Sequence, residues 1–323
     1  MNTINRETQK KMNNRIVVGI ILAVLGLPLL FLGGWFFLGF MALALFFAVH
    51  EFTNARPHNR YHLLIHLFIM VMTYSFVYWV FVKSNLNEHG LDLAAWSLNS
   101  GLKTLEVSTI GIAVTVSVLF LISIVDKNFT IADATYLITM VILIGLSAQS
   151  ILFLRFFPGF SFDEWAIDVP WWQSSLLVFY VFIGTFMSDI GAYFIGVLFG
   201  RNKMNPRISP KKTWEGFFGG AAVSALFSTA FGLIVAASGH PMLPFLSLDE
   251  WYWIVILSLT MPLMANLGDF LFSAIKRHFD IKDYSTILQE HGGILDRIDS
   301  LLLTSLYVAI VVTFINTGWN LLA

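Results

Sequence analysis

The sequence predicts an all-α, polytopic integral membrane protein with about nine transmembrane helices and a cytoplasmic amino terminus. Of its 323 residues, 57% are hydrophobic and only 12% are charged, whereas soluble domains carry roughly 25% charged residues. Long apolar runs recur along the whole chain, each able to cross a hydrocarbon layer of about 30 Å. These runs lack the alternation of lipid-facing and lumen-facing residues that barrel strands show, so helices are favoured over a barrel.

Short polar loops divide the apolar runs into successive spans. Gly33-Gly34 predicts a turn between the first two runs, and no small-residue cleavage pattern separates them, so we expect an uncleaved first span. The pairs Trp171-Trp172 and Trp251-Tyr252-Trp253 mark the interfacial starts of two later spans. The predicted spans are 16–33, 34–53, 62–82, 104–125, 131–154, 172–199, 216–237, 251–275 and 299–320.

Lysine and arginine residues set the predicted orientation, because they stay on the cytoplasmic side in short loops. With the amino terminus inside, 16 of the 19 Lys and Arg residues fall in inner loops, leaving only Lys83, Lys103 and Arg155 outside. Nine spans then place the carboxyl terminus outside. We expect a multi-pass membrane protein whose basic loops face the cytoplasm.

Composition excludes several other classes of protein. The net charge of -1 excludes a broadly basic nucleic-acid binder. The absence of cysteine excludes disulfides, thiolate metal sites and cysteine nucleophiles. No internal repeat or long linker divides the chain, so we expect one membrane-embedded unit with a scaffold at 1–160 and a catalytic region at 161–323.

A dense polar cluster lies at the basic end of the eighth predicted span. Asp269, Ser273, Lys276 and Arg277 follow one another at i, i+4, i+7 and i+8, which places them along one helical face. An intramembrane carboxylate is energetically expensive and is therefore a functional hypothesis by default. The alternative is a structural ion pair between Asp269 and one of the two cations, or a basic pair that only sets topology.

The chain continues through Lys282-Asp283 into a second polar segment that enters the ninth span. Gly292 and Gly293 suit a turn near a phosphate. Asp296 and Asp299 are three residues apart, so in a first helical turn they could share one hard cation. Oxygen ligands without cysteine favour Mg²⁺ over zinc. The alternative for both acids is capping of a helix N-terminus.

A third stretch combines an intramembrane acid, Asp189, with a basic loop. The cations and hydroxyls of this loop suit a triphosphate or an anionic lipid head group; they are Lys203, Arg207, Ser209, Lys211, Lys212 and Thr213. The alternative is attraction to anionic lipids at the inner surface. Gly191 and Gly196 suit helix packing, and neither a Walker loop nor a dinucleotide glycine pattern occurs in a strand-helix context.

A weaker candidate is the histidine-rich region at the end of the second span. His50-Glu51 precedes His58, His62 and His66, and the last three are spaced by four residues. Such a set could bind a metal ion, but histidines at a membrane interface are more often structural.

Two long patterns resemble the CDP-diacylglycerol synthase family. One runs Ser273-x2-Lys276-Arg277-x4-Lys282-Asp283-x7-His291-Gly292-Gly293-x2-Asp296-Arg297-x-Asp299, and the other runs Ser188-Asp189-x2-Ala192-Tyr193-x2-Gly196-x2-Phe199-Gly200-x2-Lys203-x2-Pro206-x2-Ser209-Pro210-Lys211-Lys212-Thr213-Trp214-Glu215-Gly216. The resemblance covers roughly 188–300. The chain departs from the family pattern at Gln289, where proline or glycine is usual, and at Val197, where a basic residue often stands.

The resemblance implies the reaction CTP + phosphatidate → CDP-diacylglycerol + pyrophosphate. It implies Mg²⁺ as the cofactor and leaves a second cation open. It implies a catalytic group made of Asp269, Asp296, Asp299, Lys276 and Arg277, whose three acids are the metal ligands. It implies a substrate-binding group made of Asp189, Lys203, Ser209, Lys211, Lys212, Thr213, Ser273, Lys282, Asp283, His291, Gly292, Gly293 and Arg297. The expected partners are CTP, phosphatidic acid and the bilayer, with a homodimer left open.

Three rival functions differ in what the sequence should contain. A transporter for an anionic solute predicts inverted repeats and broken helix pairs, and the chain shows neither. A related CTP-dependent transferase acting on an isoprenoid or ether lipid stays open, because apolar spans do not reveal tail chemistry. A degenerate paralogue is disfavoured because every acidic and basic position of the two patterns is present.

Overall fold

The computed structural model describes residues 24, 26–56, 61–85, 98–163, 172–287 and 292–316, with backbone only at 79–85, 98–109 and 159–163. After a helical segment at 26–32, the long helices are α1 (Gly34–Thr53), α2 (Leu63–Asn85), α3 (Leu98–Val125), α4 (Ile131–Asp163), α5 (Leu176–Phe199), α6 (Trp214–Ala237), α7 (Trp251–His278) and α8 (Leu295–Asn316). A short 3-10 turn, Gln173–Ser175, leads into α5.

The described helices coincide with the predicted spans from the second span onward. Six of them are long and apolar enough to cross a membrane, and the parts of α2 and α3 whose side chains are described, Leu63–Tyr78 and Ile110–Val125, are also apolar. Of the first predicted span, only its end lies in the described residues, where 26–32 is helical. The start of α8 at Leu295 is earlier than the predicted 299, so Asp296 and Asp299 both lie inside a helix.

The loop between α5 and α6 differs from the all-α prediction. It forms an antiparallel hairpin of β1 (Lys203–Asn205) and β2 (Ser209–Thr213), paired Lys203 to Thr213 and Asn205 to Ser209. The strands are too short and too polar to give a periodic apolar signal, and they enclose a three-residue turn at 206–208 that begins with proline. The hairpin ends directly at α6, where the Thr213 hydroxyl accepts a hydrogen bond from Gly216 N at 3.2 Å.

Helices α5 and α6 pack closely because small residues line their contact. A Cβ atom on Gly191 would approach Gly220 Cα to 3.0 Å, and one on Gly220 would approach the Ser188 carbonyl oxygen to 2.5 Å. Gly196 faces Gly216 in the same way. The structure therefore gives Gly191 and Gly196 the packing role that their spacing suggests.

Five helix termini meet at one end of the bundle. Helix α8 packs against α7, α4, α5 and α1, which brings the end of α1 and α7 beside the start of α8. The end of α5 and the start of α6 are joined there by the hairpin. The polar residues that the sequence singled out lie at this end, while buried side chains such as Phe37, Leu152, Tyr180 and Phe272 fill the apolar core.

Candidate active site

Lys212, at the end of β2, reaches the polar face of α7. Its Nζ lies 2.7 Å from Asp269 Oδ2 and donates to Asn266 Oδ1 at 3.4 Å. It also stands 4.4 Å from the centre of the Phe270 ring. Ser273 donates to Asp269 Oδ1 at 3.2 Å, as their i, i+4 spacing predicts. Asp269 thus pairs with the hairpin and not with Lys276 or Arg277.

Lys276 and Asp296 form a buried ion pair between α7 and α8. The Nζ to Oδ1 distance is 2.7 Å, and the side chains are only 10% and 2% exposed. The other oxygen, Oδ2, accepts from Tyr284 N at 2.8 Å and from Gly293 N at 2.9 Å. Asp296 therefore also holds both sides of the turn between α7 and α8, and Gly292 takes a φ of +77° beside it.

Asp189 of α5 and Asp299 of α8 approach the same hydroxyl group. Ser300 Oγ lies 3.3 Å from Asp189 Oδ2 and 3.2 Å from Asp299 Oδ1, and Ser300 N donates to Asp299 Oδ1 at 2.7 Å. One hydroxyl proton cannot serve both carboxylates at once. Within the described residues neither acid forms an ion pair, and both interact electrostatically with Asp269.

Several predicted cations lie exposed around these acids. Lys203, Lys211, Lys282 and Arg297 are all exposed, and Arg297 interacts electrostatically with Asp189. Arg277 instead joins two loops, because its Nε donates to Ile208 O at 3.3 Å and its Nη1 donates to Ile281 O at 3.0 Å.

Some of the remaining predicted residues lie in the described part of the chain and others do not. Ser209 is partly buried in the hairpin and Asp283 is exposed beside Gly292. His291 and Gln289 lie outside the described residues, so their predicted roles stay predictions. The substrate-binding and catalytic roles of the whole set also stay predictions, since geometry alone does not test them.

A family model described as "Cytidylyltransferase family" matches residues 13–315, which is nearly the whole chain. The chain belongs to the cytidylyltransferase family. The match includes α1 to α4 as well as the polar end of the bundle, and the division into a scaffold at 1–160 and a catalytic region at 161–323 stays a prediction.

Relatives of this cytidylyltransferase family member are bacterial proteins with one shared name. A phosphatidate cytidylyltransferase of Bacillus subtilis (strain 168) is 33% identical over 178 residues, which is 55% of this chain and 58% of the relative. One of Staphylococcus aureus (strain COL) is 40% identical over 124 residues, which is 38% of this chain and 44% of the relative. The chain therefore covers less than two thirds of the length of either relative.

Chemically, the donor set fits a hard cation that substrate helps to bind. No group of three His, Cys, Asp or Glu in the described part of the chain could hold a metal ion by itself. Mg²⁺, however, usually binds through one or two carboxylates plus substrate phosphates. Asp189 and Asp299 supply carboxylate oxygens without an ion-pair partner among the described residues, and Asp269 lies within electrostatic range. Asp296 could join only if Lys276 moved away, because its oxygens are already used.

Three residues of this cytidylyltransferase site were missed or undervalued by sequence reasoning. Asn266 precedes the first quoted pattern and Ser300 directly follows it, and neither was given a role. Glu51 was considered only with the neighbouring histidines, whereas its carboxylate contacts Ser285, Ile294 and Leu295. An acid at the end of an apolar helix resembles an ordinary interfacial residue, so the sequence holds no signal that connects Glu51 to α8.

Proposed function

We propose that this protein is a phosphatidate cytidylyltransferase of phospholipid biosynthesis, which converts CTP and phosphatidate to CDP-diacylglycerol and pyrophosphate. Membership of the cytidylyltransferase family and the names of the relatives support this activity. The observation that carries it is the contact of Asp189 and Asp299 through the single Ser300 hydroxyl, beside exposed cations. Such a site has carboxylates for a cation and positive charge for phosphates.

In the proposed reaction a phosphatidate phosphate oxygen attacks the α-phosphorus of CTP. A new bond forms between this oxygen and the α-phosphorus. The bond between the α-phosphorus and the oxygen that bridges it to the β-phosphorus breaks, and pyrophosphate leaves with the electron pair. The attacking phosphate monoester is already anionic near neutral pH, so a general base is not required. Catalysis then depends on positioning and on neutralising charge.

The protein's own residues divide these tasks. We assign Asp189, Asp269 and Asp299 to cation binding, and a bound Mg²⁺ would supply charge neutralisation between the phosphates. Lys212 and Lys276 lie close to these acids and can turn from their carboxylate partners to phosphate oxygens. Exposed Lys203, Lys211, Lys282 and Arg297 draw the anionic substrates to this end, and Arg277 fixes the hairpin against the turn. A metal-ligand role for Asp296 stays a prediction.

The activity is tested with purified protein in detergent, labelled CTP, phosphatidate and Mg²⁺. We expect labelled CDP-diacylglycerol and an equal amount of pyrophosphate. Parallel reactions with polyprenyl phosphate and with an ether-linked phosphatidate separate this function from that of a transferase on another lipid. If a relative makes labelled lipid in the same micelles and this protein makes none from phosphatidate, the proposed function is wrong.

We also propose nine transmembrane spans with the amino terminus and the active site on the cytoplasmic side of a bacterial membrane. The chain has no cysteine, so a single introduced cysteine can be labelled without background. In intact cells an impermeant maleimide should label Asp249→Cys but should label Arg201→Cys only after permeabilisation. Labelling in the opposite order would reverse the proposed orientation.

We also propose that the protein forms a homodimer in the membrane, a possibility that the sequence leaves open. Cross-linking in native membranes should give one species of twice the monomer mass, whose yield does not fall when the protein is diluted with lipid. A yield that falls in proportion to dilution would instead indicate random collision.

A further inference from the structure

Glu51 is a buried acid that stands near the end of α1. It is only 1% exposed, next to the fully buried Phe52. Within the described residues it has no ion-pair partner. A buried carboxylate without a cation is unfavourable unless hydrogen bonds replace its lost hydration. The position of Glu51 therefore depends on the groups that donate to it.

The donors that the described residues supply belong to the turn before α8 and to the first residue of that helix. Oε1 accepts from Ser285 Oγ at 2.7 Å and from Ile294 N at 2.9 Å, and Oε2 accepts from Leu295 N at 2.7 Å. These backbone groups are among those that a helix N-terminus leaves without intrahelical partners. A negative charge at this position is also favoured by the helix dipole.

Gly293 makes this approach possible. A Cβ atom on Gly293 would overlap both carboxylate oxygens of Glu51. Any other residue at this position would push the turn away from α1 or displace the acid. The glycine that suggested a phosphate turn in the sequence thus also admits a carboxylate from a distant helix.

Two carboxylates accept hydrogen bonds from the same turn. Asp296 accepts from Tyr284 N and Gly293 N, and Glu51 accepts from the residues adjacent to these. Asp299 follows Asp296 by one helical turn, so the start of α8 sets the direction of both acids. Any displacement of Ile294 and Leu295 would be transmitted to Asp296 and Asp299.

We propose that Glu51 is a positioning residue, which fixes the turn and the start of α8 so that Asp299 faces Asp189 and Asp269. The proposal rests on the proposed function, because the geometry that Glu51 maintains is that of the proposed cation and phosphate site. Glu51 itself touches no reacting group. It makes α1 a part of the active-site framework.

The test uses Glu51→Gln in the full-length protein. Glutamine keeps the size of the side chain but replaces one acceptor oxygen by an NH2 group, which must then face one of the two backbone N–H groups. We expect kcat to fall at least about 10-fold, since small displacements of reacting groups have large effects on rate. We expect KM for CTP to change by less than about threefold, because the exposed cations are untouched. Hydrogen exchange should increase at 292–296 but not in α5 or α6.

Glu250→Gln is the matched control. It makes the same chemical change at the residue before α7, at the end of that helix away from the proposed site. It should leave kcat and hydrogen exchange at wild-type values. Ser285→Ala removes one of the three donors while keeping both N–H contacts, so its kcat should fall less than that of Glu51→Gln. Glu51→Asp restores the charge on a shorter side chain and should recover part of the lost kcat.

Two results would overturn the positioning role. One is wild-type kcat and wild-type exchange in Glu51→Gln. The other is faster exchange spread over all helices, with kcat per folded molecule unchanged, which would make Glu51 a general stabiliser. If the wild-type protein makes no CDP-lipid, the proposed function fails, and exchange at 292–296 in Glu51→Gln then decides alone whether Glu51 holds the turn.

Discussion

Among the described residues, the charged side chains of α1 to α4 are satisfied by structural partners, whereas α5 to α8 leave two carboxylates that share a single hydroxyl. Arg155 donates to Leu30 O at 2.8 Å and Phe31 O at 3.3 Å, and thereby closes the end of the helical segment at 26–32. Asp133 binds Arg56 at 2.9 Å and also accepts from Tyr61 and Thr130. In the second half, Ser300 is the one hydrogen-bond donor that the described residues offer to Asp189 and Asp299.

This difference separates charges that stabilise from charges that can bind. A buried group whose hydrogen bonds are complete has little left to offer a ligand. An acid that lacks a cation beside a polar opening gains free energy when one arrives. Glu51 lies in α1, in the first half, and both of its carboxylate oxygens accept hydrogen bonds. Its donors, however, belong to the second half, in the turn before α8 and in α8 itself.

The sharpest test of this comparison is Asp299→Asn. The change keeps the shape and the acceptor for Ser300 N but removes the charge that the proposed site needs. We expect at least about a 100-fold fall in kcat, comparable to the loss of one electrostatic contact to a transition state. The melting temperature in detergent should stay close to that of the wild type, and Asp249→Asn in the outer loop serves as control. Full activity in Asp299→Asn would remove the distinction between the two halves.

The next test addresses the buried pair of Lys276 and Asp296. Asp296→Asn leaves the lysine without its partner, and breaking a buried ion pair from one side costs about 3 kcal/mol of stability. Chemical unfolding should detect this loss, and activity should fall as well because Lys276 and the turn are both disturbed.

The double variant Lys276→Met with Asp296→Asn separates the two effects. Removing both charges should recover most of the lost stability but none of the activity. If the double variant regained activity, the pair would be structural only, like those of the first half.

In the first half, Arg155→Met should affect stability alone. The change removes the Arg155 donors to Leu30 O and Phe31 O, although Ser175 Oγ still donates to Leu30 O at 3.3 Å. Each buried group that is left unsatisfied costs about 1 to 3 kcal/mol. Thermal unfolding should move to lower temperature, while kcat per folded molecule stays at the wild-type value. A selective loss of kcat would instead connect Arg155 to catalysis.

The smallest effects are expected from the exposed cations of the hairpin. Lys211→Ala and Lys203→Ala each remove one charge that is screened by salt. KM for CTP should rise by roughly two- to fivefold at low ionic strength, and the difference should disappear at high salt. Substitution of Lys127, which is exposed between α3 and α4, provides the control.

Sequence reasoning predicted the helices better than the contacts between them. Long apolar runs define α1 and α4 to α8 because hydropathy depends only on local composition. The hairpin was missed because its two strands have only eight residues, which carry no apolar period. The alternative for Asp269 was an ion pair with Lys276 or Arg277, its neighbours along the helix, but its partner is Lys212, 57 residues earlier. Such pairings depend on how the helices meet, which spacing within one helix does not encode.

The contact of Glu51 with Ile294 also means that α1 can complete its hydrogen bonds only after the start of α8 has been synthesised. These residues are 243 positions apart, so at 5 to 20 residues per second the ribosome needs about 12 to 50 s to supply the donors after Glu51 has been made. Until then, the carboxylate has to stay hydrated or find another partner, and α1 cannot take its final depth in the bundle. Insertion of the last helix would therefore complete the first, and a chain arrested before residue 294 would expose an acid that membrane quality control can detect.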